Sequence, residues 1–265
     1  MPEGHTLHRL ARAQQRLFGG SEITVSSPQG RFAAGAEALD GHVLHRVEAY
    51  GKHLFQYYRG APILHVHLGL YGKFTTGAGE APEPRGALRL RMVSGQVWSD
   101  LRGPTACELL DPPDVAALRA RLGPDPLRKD SDPEMAYRKV SRSKMSIAAL
   151  LMDQSVLAGI GNVYRAEILF RHRVDPFRRG QAVDGELWRA MWDDLVVLMQ
   201  AGVRTGRIET VRPQHRPRAR GPLSREEAGY VYRRTGLPCR VCGTPVATAE
   251  LVGRNLFWCP TCQAP

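Results

Sequence analysis

The chain has 265 residues, of which 43% are hydrophobic, so it can bury one large core or two of ordinary size without disulfides. Its formal net charge of +11 favours a polyanionic partner, nucleic acid before an anionic membrane, although such an excess can also serve solubility alone. No apolar run is long enough to span a bilayer and no secretory signal pattern is present, so we expect a cytoplasmic protein that does not bind membranes.

The first predicted element is a helix with apolar residues at helical spacing from Leu7 to Phe18, ended by a pair of glycines. Pro2 and Glu3 suit the start of such a helix, because proline costs no hydrogen bond in the first turn and a carboxylate complements the positive end of the helix dipole. The alternative is chemical: removal of Met1 would leave Pro2 as a free secondary amine beside a carboxylate. These residues by themselves favour the structural interpretation.

Residues 22–110 form short runs with strand periodicity, separated by turns rich in glycine and proline, which predicts a β-sandwich or barrel. The segment LGPDPLRKDSDPE at 122–134 indicates an irregular connection. Beyond it, three helices are predicted from the runs KMSIAALLMDQ, NVYRAEILFRHR and VDGELWRAMWDDLVVLMQAG.

The last quarter of the chain is the most basic part, since residues 201–265 hold eleven arginines and four glutamates. Within it, GRIETVRPQHRPRARGPLS at 206–224 is too polar and too rich in proline to pack, so we expect an exposed basic loop there.

Four cysteines form two pairs near the C-terminus, with the spacing C-x2-C-x16-C-x2-C. This spacing is typical of a four-cysteine zinc site, and four thiolates close the coordination shell, so the metal would be structural. Disulfides are the alternative, and a reducing compartment disfavours them. The predicted ligands of one zinc ion per chain are Cys239, Cys242, Cys259 and Cys262.

Between the cysteine pairs, PVATAEL and NLFWC have strand character, and VGRN is the predicted turn. A zinc ion at the base would hold this ribbon rigid with Arg254 at its tip. An arginine in a turn is usually only solvated, but on a basic ribbon its planar fork suits a phosphate.

Residues 153–169, DQSVLAGIGNVYRAEIL, predict two helices joined by a glycine-containing turn. Backbone N–H groups at such a helix start can bind an anion, and Asn162 could both cap the second helix and offer its amide to a phosphate. The alternative is that Asn162 is only a cap and the glycines serve close packing. The spacing does not decide between them.

Together, several motifs in this order resemble the Fpg/Nei family of DNA glycosylases, nearer to its endonuclease VIII branch. The resemblance runs nearly from end to end. The motifs are PEGHT at the N-terminus, GKHL at 51–54, HLGLYGKF at 67–74, SDLRGPTACEL at 99–109, DQSVLAGIGNVYRAEIL at 153–169, and the terminal CRVC and GRNLFWCPTC.

The resemblance implies an α+β multidomain fold, with an N-terminal helix plus β-sandwich and a C-terminal helical domain that carries a helix-two-turns-helix motif and a zinc ribbon. DNA is expected in the cleft between the lobes. The expected divisions are a catalytic domain at 1–122, a linker at 123–138, the helix-two-turns-helix domain at 139–230 and the zinc ribbon at 231–265. We expect a monomer.

The resemblance also assigns roles to single residues. Pro2 matches the family's nucleophile, Glu3 its neighbouring carboxylate, and Lys52 the lysine of the G-K turn. Without the family context, Lys52 would be taken as a solvated lysine at a strand end.

The residues assigned to DNA binding lie further along the chain. Asn162 and Arg254 match the family's phosphate-binding asparagine and zinc-ribbon arginine. Leu70 and Tyr71 match the position where endonuclease VIII proteins insert apolar side chains into the space left by an everted base. Core packing is the alternative for these two.

Three features depart from the family pattern. His5 and His8 are not expected in the first helix, and we predict surface positions for them. Gly69 replaces a polar residue found in some endonuclease VIII wedges. The SDLRGP segment lacks the Arg-x-Phe wedge of the formamidopyrimidine branch, which weakens the case for 8-oxoguanine as the main substrate.

The sequence therefore predicts a bifunctional DNA glycosylase and abasic-site lyase that removes oxidised bases, pyrimidines preferred, through a Schiff base on Pro2 followed by β,δ-elimination. Its partner would be duplex or single-stranded DNA with damaged bases or abasic sites, at the nucleoid. Two alternatives remain: a formamidopyrimidine and 8-oxoguanine glycosylase, or a zinc-ribbon DNA-binding protein without catalytic activity.

Overall fold

The computed structural model describes residues 2–218, 221 and 223–265. The chain divides into two compact units, residues 1–121 and 122–265, and each is described by itself. Among the described residues, no helix combines the length and the apolar character that crossing a bilayer requires.

From residue 2 onward, the N-terminal unit forms three helices and eight strands. The helices are α1 (Gly4–Phe18), α2 (Ala33–Glu37) and α3 (Pro112–Ala120). The strands are β1 (Glu22–Ser26), β2 (His42–Tyr50), β3 (His53–Tyr58), β4 (Ile63–His67), β5 (Lys73–Ala78), β6 (Leu88–Ser94), β7 (Val97–Arg102) and β8 (Ala106–Leu110).

The eight strands are hydrogen-bonded in the order β5-β7-β6-β1-β2-β3-β4-β8, and each strand is antiparallel to its neighbours. Strand β1 joins the four strands β2-β3-β4-β8 to the three strands β6-β7-β5, because Glu22 and Ile23 pair with β2 whereas residues 24–26 pair with β6. The strands on both sides of β1 contribute to one core, with Leu54 on β3 and Leu64 on β4 from one side and residues of β6 and β7 from the other. The predicted β-sandwich is thus confirmed, with β1 as the strand that passes between its layers.

Helix α1 packs against β2 and β3 through its apolar face. The polar break in that face is explained by a buried amide pair, since Gln56 donates from Nε2 to Oε1 of Gln14 at 2.8 Å. The next residue, Gln15, accepts a hydrogen bond from the backbone N–H of Val47 at 2.7 Å. These bonds fix the helix on the sheet, and therefore fix the chain that enters the helix at Glu3.

The described residues of the C-terminal unit form four helices and a two-stranded ribbon. Its elements are α4 (Pro133–Val140), α5 (Ile147–Leu150), α6 (Asn162–Arg171), α7 (Gly185–Thr205), β9 (Ala247–Leu251) and β10 (Arg254–Trp258), with 3₁₀ turns at Gly180–Ala182 and Pro213–His215. The helices share one apolar core, to which α7 contributes Trp188 and Met191. Helix α7 ends at Gly206, whose φ of +75° is a left-handed conformation that glycine adopts without strain.

Two predicted segments differ from the structure. The run at 144–154 is helical only over Ile147–Leu150, where the Ser146 side chain accepts a hydrogen bond from the Ala149 N–H. The connecting segment expected at 123–138 includes the first residues of α4, because Asp132 caps a helix that begins with Pro133. The domain boundaries themselves stay a prediction.

The segment expected as an exposed loop at 206–224 is anchored in part. Thr210 and Val211 are buried, and the Thr210 hydroxyl donates to the carboxylate of Glu167. Residues 219, 220 and 222 of this segment lie outside the described residues.

Candidate active site, DNA-contact residues and zinc centre

The N-terminal site residues lie where the chain enters α1. Glu3 is the N-cap residue of the helix and its side chain is fully buried, whereas Pro2 precedes the cap and is partly exposed. The helix begins at Gly4, and the backbone carbonyl of Glu3 accepts the N–H of Thr6 at 2.8 Å. The prediction of a proline in the first helical turn is therefore wrong. Pro2 stands in front of the positive end of the helix instead.

Lys52 lies in the tight turn between β2 and β3. The strands close with the pair Tyr50 and His53, so Gly51 and Lys52 form the whole connection. Gly51 has a φ of +57°, a conformation that a two-residue turn requires and that glycine supplies. Lys52 is partly exposed, and its charge contributes to lowering the pKa of the nearby His53. Because α1 packs on both strands that flank this turn, Pro2, Glu3 and Lys52 belong to the same unit.

A histidine cluster next to Lys52 was missed by the sequence analysis. His53 on β3 and His65 and His67 on β4 lie on one face of the sheet, and the Nδ1 atom of His53 is 2.8 Å from Nε2 of His65. The Nδ1 atom of His65 is 2.9 Å from Oε1 of Glu108 on β8. The alternation in ILHVH already places His65 and His67 on one face, but their partners depend on strand register, which the sequence does not show.

Four buried or partly buried histidines of this unit are held neutral by their surroundings. Burial lowers the pKa of His53 to about 3 and that of His5 to about 4. Burial also lowers the pKa values of His65 and His67, although the carboxylate of Glu108 opposes the effect at His65. The prediction that His5 occupies a surface position is wrong, since only 5% of its surface is exposed.

The two predicted wedge residues project from the loop between β4 and β5. Leu70 is 45% exposed and Tyr71 is 86% exposed, so the core-packing alternative is excluded for both. The loop itself is anchored, because Leu68 is buried and its carbonyl accepts the N–H of Gly72 at 2.9 Å. Gly69 has a φ of +65°, and a side chain there would collide with Thr105. The loop geometry thus explains the glycine and presents two apolar side chains outside the core.

Asn162 occupies a different place from the predicted cap. The N-cap residue of α6 is Gly161, and Asn162 is the first helical residue. Its side chain is buried, donates from Nδ2 to the backbone carbonyl of Asn255 at 2.9 Å, and accepts a hydrogen bond from Arg165. Asn162 therefore ties the start of α6 to strand β10 of the ribbon.

Arg254 is the first residue of β10 and is exposed. It pairs with Leu251 across the ribbon, so the turn consists of Val252 and Gly253 alone and is shorter than predicted. The bond from Asn162 to Asn255 holds the chain immediately beside Arg254. The guanidinium is therefore presented from a fixed backbone position.

The four paired cysteines converge at the other end of the ribbon. Their sulfur atoms all lie within 4.8 Å of one another, with Sγ–Sγ distances of 3.9 Å for Cys239 and Cys262 and 3.4 Å for Cys242 and Cys259. A tetrahedral zinc with bonds of about 2.3 Å needs sulfurs about 3.8 Å apart, whereas a disulfide needs about 2.05 Å. The residues fit one structural zinc ion and exclude the disulfide alternative, and all four thiols are free of disulfides.

Comparison with protein-family models matches three consecutive parts of the chain. The formamidopyrimidine-DNA glycosylase N-terminal domain matches residues 1–107, the formamidopyrimidine-DNA glycosylase H2TH domain matches residues 122–213, and the zinc finger found in FPG and IleRS matches residues 236–265.

Curated relatives align over nearly the whole chain. Endonuclease 8 1 of Mycobacterium tuberculosis is 56% identical over 267 residues, covering 99% of this chain and 100% of the relative. The formamidopyrimidine-DNA glycosylase of Gloeobacter violaceus is 33% identical, covering 99% and 96%. Among solved structures, the Lactococcus lactis Fpg complex with DNA containing an abasic site is similar in fold, with a TM-score of 0.80, 21% identity and coverage of 99% and 100%.

The zinc centre predicts a local effect of losing one ligand. Zinc binding at a four-cysteine site supplies on the order of 10 kcal/mol to folding. Cys242→Ser should therefore abolish zinc binding and unfold the ribbon while the N-terminal unit stays folded. Metal analysis should give one zinc per chain for the wild type and for the control Cys107→Ser, which changes the cysteine outside the cluster. A folded wild-type protein with two disulfides and no metal would contradict the assignment.

The neutral histidines predict that acid destabilises the N-terminal unit. The unfolded chain takes up protons as the pH falls through the ordinary histidine pKa of about 6.5, whereas His5 and His53 stay neutral in the folded state until about pH 4 and 3. Stability should therefore be full above pH 7 and fall below pH 6.5, by up to about 1.4 kcal/mol per pH unit for each such histidine.

Hydrogen exchange of the β3 and β4 amides at pH 7.0 and 5.5, corrected for the intrinsic exchange rate, measures this loss within the unit concerned. His5→Leu should reduce the pH dependence, whereas His45→Gln, at an exposed position, should leave it unchanged. Equal protection at both pH values in the wild type would show that these histidines do not titrate differently on unfolding.

Proposed function

The chain belongs to the Fpg/Nei family of DNA glycosylases, whose members also cleave abasic sites, and we propose that it excises oxidised bases, pyrimidines in preference, with Pro2 as the nucleophile. The observation that carries the proposal is the pairing of a partly exposed Pro2 with the fully buried Glu3 in front of a helix start. The 56% identity to a protein named endonuclease 8 supports the preference for pyrimidines.

Pro2 suits this chemistry because its mature amine is secondary. After removal of Met1, the amine attacks C1′ of the damaged nucleotide, expels the base and loses its own proton. Breaking of the C1′–O4′ bond then opens the sugar and gives an iminium ion that is cationic without taking up a further proton. The cation acidifies C2′ and so drives elimination of the 3′ phosphate, and the 5′ phosphate follows in a second elimination. The amine attacks in its neutral form, which the positive end of α1 favours.

Glu3 is the proposed proton donor to the ring oxygen as the sugar opens. Its side chain is buried at the N-cap position and makes no capping hydrogen bond to the helix, which places the carboxyl group directly beside Pro2 in the chain. Lys52, presented by a two-residue turn, adds positive charge for a phosphate or for a proton transfer.

Leu70 and Tyr71 are proposed to fill the space left by the everted base. A base inside a duplex must be extruded before chemistry can reach it, and an apolar wedge offsets the lost stacking. Their exposure on an anchored loop supports this role, because exposed apolar side chains of this size gain from insertion between bases.

Of the two alternatives, the one that concerns the substrate stays open to experiment. The 33% identity to a protein named formamidopyrimidine-DNA glycosylase supports the first alternative, a formamidopyrimidine and 8-oxoguanine glycosylase. A DNA-binding protein without catalytic activity is disfavoured, because Pro2, Glu3 and Lys52 are all present. We further propose that the protein acts in the cytoplasm at the nucleoid, where its DNA substrate lies.

The catalytic assignment is tested by trapping and by variants. Borohydride should link wild-type protein to DNA through residue 2. Pro2→Gly and Lys52→Ala should slow base excision, and Glu3→Gln should slow it on the order of 100-fold, the usual effect of losing a general acid. Lys129→Ala removes an exposed lysine of the other unit and should leave excision unchanged.

Glu3→Gln should keep more activity on a preformed abasic site, where the glycosidic bond is already broken. Matched oligonucleotides carrying 5-hydroxyuracil, thymine glycol, 8-oxoguanine or an abasic site rank the substrates. An adduct mapped to Lys52 instead of Pro2 would overturn the nucleophile assignment, and faster excision of 8-oxoguanine than of either pyrimidine lesion would overturn the preference.

Phosphate binding by Arg254 and Asn162 is tested by affinity. Arg254→Ala should weaken binding by about 1–3 kcal/mol for all DNA sequences alike and lower the salt slope by about 1, because a phosphate contact carries no sequence information. Since Arg254 is exposed, this variant should unfold at the wild-type temperature.

Asn162→Ala should weaken binding and also lower the melting temperature, because it breaks the bond from α6 to Asn255. Arg12→Ala, which removes an exposed arginine on α1, is the control for net charge. If Arg254→Ala binds DNA with unchanged affinity at low salt, the tip of the ribbon does not contact the DNA.

A further inference from the structure

Next to Lys52, a set of polar side chains crosses three neighbouring strands, β3, β4 and β8. Strand register pairs His65 with Glu108 and His53 with His67. The rings of His53 and His65 are stacked, with centroids 5.1 Å apart, and those of His53 and His67 are 5.0 Å apart. One continuous set of contacts therefore leads from Glu108, which is 53% exposed, through the buried His65 to the residue that follows Lys52.

The direction of each hydrogen bond in this set follows from the carboxylate. An ionised carboxylate can only accept, so the Nδ1 atom of His65 carries a proton and donates it to Glu108. A neutral His65 then has an electron pair on Nε2, which accepts the proton on Nδ1 of His53. His53 is thereby fixed as the Nδ1–H tautomer, with an electron pair on its own Nε2.

The charged groups around His53 keep it neutral. Lys52 lies beside it in the chain, Arg121 follows α3, and His65 and His67 face it from β4. Burial and these neighbours all oppose a positive charge on His53, and the carboxylate of Glu108 is separated from it by the ring of His65. His53 is thus a hydrogen-bond acceptor at Nε2 rather than a second cation beside Lys52.

We propose that Glu108 and His65 are positioning residues for the lyase reaction: they fix the tautomer of His53, which keeps an acceptor and not a donor next to Lys52. This rests on the proposed function, because it takes Lys52 to act in the reaction. An acceptor beside Lys52 lets the lysine keep its proton and its orientation. If His53 carried its proton on Nε2, the same position would present a donor to an ammonium group, which has no acceptor.

The first test is spectroscopic and does not depend on activity. In protein labelled with ¹⁵N in the histidine rings, His53 and His65 should both be neutral with the proton on Nδ1 between pH 6 and 8. In Glu108→Leu, both rings should show a changed or mixed tautomer. Protonation of the wild-type rings on Nε2 would overturn the proposal, as would a mixture already present in the wild type.

The second test is the single-turnover cleavage of a preformed abasic site at saturating protein. Glu108→Leu and His65→Phe should each slow cleavage about tenfold without changing DNA affinity, the effect of losing one ordinary hydrogen bond. Glu108→Gln should stay within about threefold of the wild type, because its amide oxygen still accepts from Nδ1 of His65. Glu80→Leu removes another exposed glutamate of the same unit and should cleave at the wild-type rate.

The outcomes separate this proposal from the proposed function. If the wild-type protein neither cleaves abasic sites nor forms a borohydride adduct, the proposed function is wrong. The ring tautomers still test the hydrogen bonds from His53 through His65 to Glu108. If the wild-type protein cleaves abasic sites and Glu108→Leu cleaves them as fast, the positioning role is wrong and the proposed function stands. Loss of rate in Glu108→Gln equal to that in Glu108→Leu would overturn the role of the hydrogen bond.

Discussion

The buried carboxylate of Glu167 is the interaction on which the C-terminal unit depends. It is fully buried on α6 and accepts the backbone N–H groups of Tyr230, Val231 and Tyr232 at 2.7–2.9 Å, together with the hydroxyl of Thr210. A buried charge is costly unless hydrogen bonds replace its water, and these four donors do so. The donors lie in two segments of the chain before the zinc ribbon, at Thr210 and at residues 230–232, so the Glu167 side chain holds both segments to α6 by hydrogen bonds.

The same helix also holds the far end of the ribbon. Asn162, at the start of α6, bonds the backbone beside Arg254, while the cysteine cluster holds the base of the ribbon. A ribbon fixed at both ends presents Arg254 with little conformational freedom left in its backbone. Less entropy is then lost when its guanidinium binds a phosphate, which is the advantage of a preorganised contact.

The sequence predicted what is local and missed what depends on register. Cysteine spacing gave the zinc ligands because each pair lies within one turn, and alternating apolar residues gave the strands of the sandwich. The contact of His65 with Glu108 joins residues 43 positions apart, and it exists only because β4 lies beside β8 in one particular register. Gln14 is likewise a polar residue on the buried face of α1, and its partner Gln56 on β3 is 42 positions away in the chain.

The carboxylates of Glu167 and Glu108 differ in role because they differ in burial. Glu167 stabilises the fold, whereas Glu108 can act on the reaction. Glu167 is enclosed and satisfied by four donors, so a change there leaves buried N–H groups without an acceptor. Glu108 is 53% exposed, and of its bonds the one to His65 is directed toward the Lys52 turn. If Glu108 is removed, water can take over part of its hydrogen bonding to the protein. Water both donates and accepts hydrogen bonds, so it does not favour one tautomer of His65. A carboxylate at this position therefore contributes little to folding and can still set the hydrogen-bonding character of the site.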